Sequence, residues 1–173
     1  MVVHKLLRNT IFKWGYGWIK YYRRAEVKKV LDKGSKTLLD IGCQDLVFHQ
    51  QLKKRYDITL ADYEPKKDFI KKEDVQNLSF EDNSFDIVLC QEVLEHVPDP
   101  IAAMKELKRV AKKQLVISVP NEPFFTMFRL FFWEREHLWA ITPKVFRHYL
   151  GKPSYQRKVF FKRYYMAVWN FED

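Results

Sequence analysis

The stretch LLDIGCQDLVF, residues 38–48, is an apolar run that meets an acid and then turns on a single glycine. Asp40, Ile41, Gly42 and Cys43 fall where a buried strand gives way to a tight turn. Glycine at such a point lets backbone come close to a ligand and adopt positive φ. Twenty residues after Gly42, Asp62 closes a second short strand, DITLAD. That spacing is the one at which an acid reaches the hydroxyls of a ribose bound beside the glycine turn. Asp74 lies in the next connection, and Cys90, Gln91 and Glu92 follow the run NSFDIVL. In an open parallel sheet, ligands bind beyond the carboxyl ends of the strands, where the strand order reverses. Carboxylates gathered on that edge repel one another unless a ligand uses them.

The elements that must place these residues are short apolar strands alternating with helices. TLLDIG, DITLAD, NSFDIVLCQEV and QLVISVP read as strands, the last stopped by Pro120. LVFHQQLKKRY returns to helical spacing, and DPIAAMKELKRVAKK is a helix with Asp99 as N-cap, Pro100 at its first position and basic residues in its last turn. Such alternation predicts an α/β fold, a mostly parallel sheet with helices on both faces in three α/β/α layers. Residues 66–76, KKDFIKKEDVQ, must fit a helix and a short strand into little sequence. TPKVFRHYL is a helix opened by Thr142 and Pro143, and KVFFKRYYMAVWNF supplies the last strands. Little chain remains after Gly151, so the sheet is expected to be trimmed, or completed by a second copy in a homodimer. The N-terminal LLRNTIFKWGYGWIKYYRRAEVKKVL places Ile11, Trp14, Trp18 and Tyr22 at helical spacing with Lys and Arg between them, an amphipathic helix.

Taken together, the four stations and the segment NLSFEDNSFDIVLCQEVLEHVPDP resemble the class I S-adenosylmethionine-dependent methyltransferases. The likeness is to the small-molecule and lipid methyltransferase (type 11-like) group, and it runs from about Thr37 to about Leu150. It implies a Rossmann-like, doubly wound sheet and S-adenosyl-L-methionine as cofactor. By that resemblance, Asp40 and Gly42 face the methionine part, Asp62 the ribose, Asp74 with Val75 the adenine, and Cys90 with Gln91 the cofactor's side at the sheet edge. Ile41, Cys43, Gln44 and Tyr63 complete the set. The single domain then divides into a basic aromatic N-terminal lid (1–36), a cofactor-binding core (37–123), and an acceptor-side cap with the last strands (124–173). The chain departs from the group's D-x-G-x-G-x-G turn at Gln44 and Leu46, where glycines would stand. Leu46 is absorbed as the first core residue of the following helix, whereas a side chain at 44 either turns away or occupies part of the methionine site.

Methyl transfer from a sulfonium asks for positioning and exclusion of water more than for acid–base groups. Glu92, Glu95, His96 and His137 are the candidate bases. Each has a plainer explanation: Glu95 and His96 fall where a helix would end before Pro98, and a surface histidine is usually just solvated. No catalytic residue is assigned. Cys43 and Cys90 have no metal-ligand spacing, and buried cysteine behaves as a small apolar residue. No metal is expected.

The 173 residues carry a net charge of +9, unevenly placed. Residues 1–36 hold ten Lys/Arg against two Asp/Glu, 37–123 twelve against sixteen, and 124–173 nine against four. An acidic centre thus lies between basic, aromatic ends. Two readings fit those ends, at 11–22 and 124–139: a small-molecule or lipid-like acceptor reached through a rim that also touches an anionic membrane, or two helices packed on each other with lysines on the solvated side. Packing is preferred for 11–22, and the acceptor rim for 124–139, where FFTMFRLFFW leaves almost no polar face. Nucleic acid is disfavoured, because CQEV stands where base-amine methylating enzymes show Asn or Asp, two prolines and an aromatic. RNA methylation ranks third, behind a fold that keeps binding or interaction but has lost turnover. No apolar run of about 18 residues and no signal-peptide pattern occurs, so a soluble, cytoplasmic protein is expected.

Overall fold

The apolar runs become the strands of one seven-stranded sheet in a computed structural model that describes residues 18, 20–43, 46–121, 138–159 and 163–171. The strands are β1 (Thr37–Ile41), β2 (Asp57–Asp62), β3 (Lys71–Lys72), β4 (Phe85–Gln91), β5 (Ala111–Pro120), β6 (Tyr155–Val159) and β7 (Tyr164–Asn170). Helices are α1 (20–30), α2 (Leu46–Leu52), α3 (Pro100–Val110) and α4 (Pro143–Leu150). The spatial order is β3-β2-β1-β4-β5-β7-β6. β1 through β5 pair in parallel, and β7 runs antiparallel to both β5 and β6. The order reverses between β1 and β4, the switch point at which doubly wound sheets bind their ligands.

Two buried clusters cover the two faces. Met104 and Leu107 of α3 and Phe146 and Leu150 of α4 pack with Leu39, Val88 and Ile117 on one side. Val27 and Leu31, on and just after α1, and Phe48 and Leu52 of α2 pack with Leu38, Ile87 and Val116 on the other. Neighbouring strand residues point to opposite faces, so a strand buried on both sides must be apolar at every position. The three-layer arrangement expected from the sequence is therefore present. No helix among the described residues is long and apolar enough to cross a membrane.

Three expectations are corrected. No helix forms between β2 and β4; β3 has two residues, and the rest of the connection is irregular. It is held by Arg109 of α3, whose guanidinium donates to the carbonyls of Leu78 (3.0 Å) and Phe80 (2.8 Å) and to Asp82 (2.8 Å). Glu106 accepts from Arg109 and from the Leu78 N–H, and the Arg109 hydrogen bond holds its carboxyl below the usual range. Second, α3 ends at Val110 and β5 starts at Ala111, where pairing with Phe85 overrides the helix propensity of AKK. Third, the sheet is not trimmed. Four residues separate α4 from β6, which hairpins back as β7, so a second copy is not needed to complete it. Asp99 caps α3 as expected, accepting from the N–H groups of Ile101 and Ala102.

α1 is fastened to the sheet by Gln114, 4% exposed. Its amide donates to Val30 O (3.0 Å) and Asn170 Oδ1 (2.9 Å), and its Oε1 accepts the Asp32 N–H (3.1 Å). Replacing it by an apolar side chain leaves buried polar partners unmet. Gln114→Leu is expected to lower unfolding free energy by about 2–3 kcal/mol, measured by urea denaturation of both proteins.

Candidate functional site

The carboxyl edge is built around the end of β1. Asp40, 5% exposed, pairs in register between Leu60 of β2 and Leu89 of β4. Ile41 is buried in the α3 cluster, and Gly42 then turns with φ +76°, its N–H donating to Ala61 O at 2.8 Å. A Cβ built on Gly42 would stand 2.2 Å from Val93 Cγ2. The glycine is thus required twice, by its backbone conformation and by the β4–α3 connection lying on it. Val93 drew no notice in the sequence, because nothing local links it to residue 42.

The edge is electronegative. Cys43 is buried, and its thiol is pushed up to about 12, by burial first and then by Asp40 and Asp62. Cys90, fully buried, is raised as well, by burial and then by Glu95, Asp40 and Glu92. The two thiols are free and fall in different core clusters, which bears out their reading as small apolar residues.

Asp62 ends β2; its Oδ1 accepts the Glu64 N–H at 3.0 Å, and Tyr63 beside it is 63% exposed. Asp74 accepts from the backbone and side-chain amides of Gln76, and Val75 is buried. At the end of β4, Gln91 Oε1 is buried with no hydrogen-bond partner among the described residues. Glu92 has φ +55°, a left-handed conformation uncommon outside glycine and asparagine. Its N–H donates to Ser118 O (2.9 Å), its Oε1 accepts from Ser118 Oγ (3.1 Å), and its Oε2 lies 3.7 Å from Arg23 of α1. Asp40, Gly42, Cys43, Asp62, Cys90 and Gln91 therefore share the strand ends, with Asp74 and Val75 on the connection beyond β3. Gln44 and His137 lie outside the described residues.

The candidate bases differ from expectation. Glu95 and His96 stand in an irregular turn, not at a helix end; Glu95 is 1% exposed, and His96 Nε2 lies 3.9 Å from its Oε1. Beside Asp62 opens a cavity of about 160 Å³ lined by Cys43, Leu46, Asp62, Glu64, Lys66, Lys67 and Ile70. Nothing local marks Glu64, Lys66 and Lys67 as lining residues beyond their position just after a strand that ends on an acid.

Residues 39–117 match the family model of the methyltransferase domain, across the β1 turn, the β2 acid and the end of β4. Over that stretch, a little under half of the chain, the sequence is similar to methyltransferase domains. The chain is 33% identical over 119 residues to the 2-methyl-6-phytyl-1,4-hydroquinone methyltransferase of Synechocystis, covering 57% of this chain and 36% of that protein. It is 26% identical over 107 residues to the tRNA U34 carboxymethyltransferase of Nautilia profundicola, covering 53% and 36%. Among solved structures, a SAM-dependent methyltransferase of Thermotoga maritima superposes with a TM-score of 0.67 at 17% identity, over 92% of this chain and 94% of that one. The chain spans about half or less of the length of the curated relatives it matches.

Gly42→Ala is expected to destabilise the fold by about 2–4 kcal/mol, combining overpacking with positive-φ strain. Adding Val93→Ala should restore the overpacking part and leave about 1 kcal/mol of strain, read by thermal unfolding of the single and double variants. The thiols set a pH dependence. Above the ordinary value of 9.0 the unfolded chain loses thiol protons that the folded chain keeps up to about 12. The folded state then binds more protons, so stability falls as pH rises through that window. Denaturation midpoints measured on either side of pH 9 check the sign.

Proposed function

We propose that the chain binds S-adenosylmethionine along this edge and transfers its methyl group to a small or lipid-like acceptor. The observation that carries the reading is the meeting, at one switch point, of a buried acceptor atom with no partner, Gln91 Oε1, and the carboxylates Asp40 and Asp62 beside Gly42. These groups fit the cofactor's chemistry. Gln91 Oε1 is suited to the ammonium of its methionine part and Asp62 to its ribose hydroxyls, with Tyr63, Asp74 and Val75 on the adenine side. The negative edge suits its cationic sulfonium. When bound, the cofactor would supply an activated methyl group, to which the acceptor bonds in line as the sulfur–methyl bond breaks and the thioether leaves as S-adenosylhomocysteine.

The protein's own work in this reading is to orient and to exclude water. Glu92 is engaged by Ser118 and Arg23 and so serves to fix the end of β4 against α1, a positioning role. The lipid-like acceptor draws support from the Synechocystis relative, named for a phytyl hydroquinone. The relative named for a tRNA keeps RNA methylation behind it. A second reading, a methyltransferase-like fold that has lost turnover and serves binding or interaction with another partner, is favoured by one finding: Val93 and positive φ demand Gly42 whether or not a cofactor is used.

Calorimetric titration with S-adenosylmethionine and S-adenosylhomocysteine separates the two. Binding is expected, and Asp62→Ala should weaken it by about 1.5–3 kcal/mol, the worth of a hydrogen bond to a charged group. No heat and no thermal shift at saturating cofactor would leave the second reading. Unchanged affinity in Asp62→Ala would overturn the ribose assignment.

A further inference from the structure

α1 runs antiparallel to β4 and β5. Near its end, Val30 O accepts from Gln114 close to the start of β5, and seven residues earlier Arg23 meets Glu92 just past the end of β4. At about 1.5 Å per residue, the turn before Arg23 stands at or beyond the carboxyl edge. That turn carries Trp18, Tyr21 and Tyr22, which occupy one helix face by their i, i+3, i+4 spacing. They are 53%, 62% and 45% exposed, while Val27 and Leu31, on the opposite face, are buried. The three rings contact one another, with centroids 5.7–6.4 Å apart. A helix packed face to face on a partner helix would hide this side; here it points outward.

The same rim collects other exposed apolar side chains. Phe69, 63% exposed, follows the β2 end among Lys66, Lys67, Lys71 and Lys72. Leu138 and Trp139, 57% and 46% exposed, are tied to the β4–α3 connection, their N–H groups donating to Glu95 O and the Trp139 indole to Val97 O. Of ten large apolar side chains exposed among the described residues, six belong to these three segments. Residues 20–30 hold five Lys/Arg against one acid, Glu26, which Lys29 and Arg157 both engage. Tyrosine and tryptophan favour the boundary between water and lipid, and basic side chains beside them meet anionic headgroups.

We propose that this aromatic, basic rim seats the carboxyl edge on an anionic bilayer surface, so that the acceptor enters from lipid. The inference rests on the lipid-like acceptor reading and gives it a partner surface. The rings sit where an interfacial helix carries them, with the opposite face already spent on the core. Charge supplies the preference for anionic lipid, so binding weakens as salt rises.

The test is flotation of the full chain with phosphatidylcholine vesicles, with and without phosphatidylglycerol. Binding is expected to the anionic vesicles, falling at high salt. Trp18→Ser/Tyr21→Ser/Tyr22→Ser should lower partition by at least about tenfold, with the melting temperature and S-adenosylhomocysteine affinity of the parent. Retained cofactor affinity separates loss of the membrane surface from failure of the enzymatic reading. Equal flotation of the triple variant would overturn the proposal. So would binding indifferent to lipid charge and salt, or no flotation alongside a gel shift of single-stranded RNA. Should the triple variant fold poorly, Phe69→Ser and Trp139→Ser provide independent rim lesions, each expected to reduce flotation.

Discussion

The contact between Gly42 and Val93 holds the site's two halves together. β1 brings an acid and a turn to the edge; β4 brings Gln91 and the strained Glu92. They are adjacent strands, yet the loops that leave them would diverge without something to bring them together. A residue with no Cβ lets the β4–α3 connection lie directly on the β1 turn. Backbone conformation and packing then demand the same residue, so the turn has one geometry. Everything that faces a ligand is placed relative to it.

Around that joint the edge gathers negative charge and buried polarity that the fold alone does not need. Cys43 and Cys90 register the field, their thiols held protonated by burial and by neighbouring carboxylates. Gln91 Oε1 has lost its water without gaining a partner among the described residues, a cost of about 1–3 kcal/mol. Glu92 adds a left-handed backbone, also of order 1 kcal/mol. Costs of this kind concentrated at a switch point suit a site built to receive a ligand.

Much of this was legible because it is local. A strand ending on an acid, Asp99 followed by Pro100, and helical spacing from Ile101 to Val110 announce themselves within a few residues. Asp40, Asp62 and Gln91 could be found by asking what ends each strand. What stayed hidden depends on partners distant in sequence. The two residues of β3 exist because Arg109 holds the connection behind them, and the start of β5 at Ala111 because Phe85 is there to pair with it. Glu92 looked like a free base until α1 brought Arg23 to it. Trp18 and Tyr22 suggested a packing stripe, since periodicity gives the face but not its direction.

The joint between α3 and β5 carries a mechanical meaning. Val110 passes into Ala111 with no residue between them, so helix and strand form one bent lever with no hinge. Its free end, the Asp99 N–H, donates to Gln76 Oε1 at 2.7 Å, bolting it to the Asp74 loop. Its other arm pairs with β4 and β7 over most of its length. A displacement of that loop cannot be taken up by slack in a linker; it must tilt the helix bodily or be resisted by the whole centre of the sheet. The loop thus takes its support from the core behind it, although it has almost no regular structure of its own.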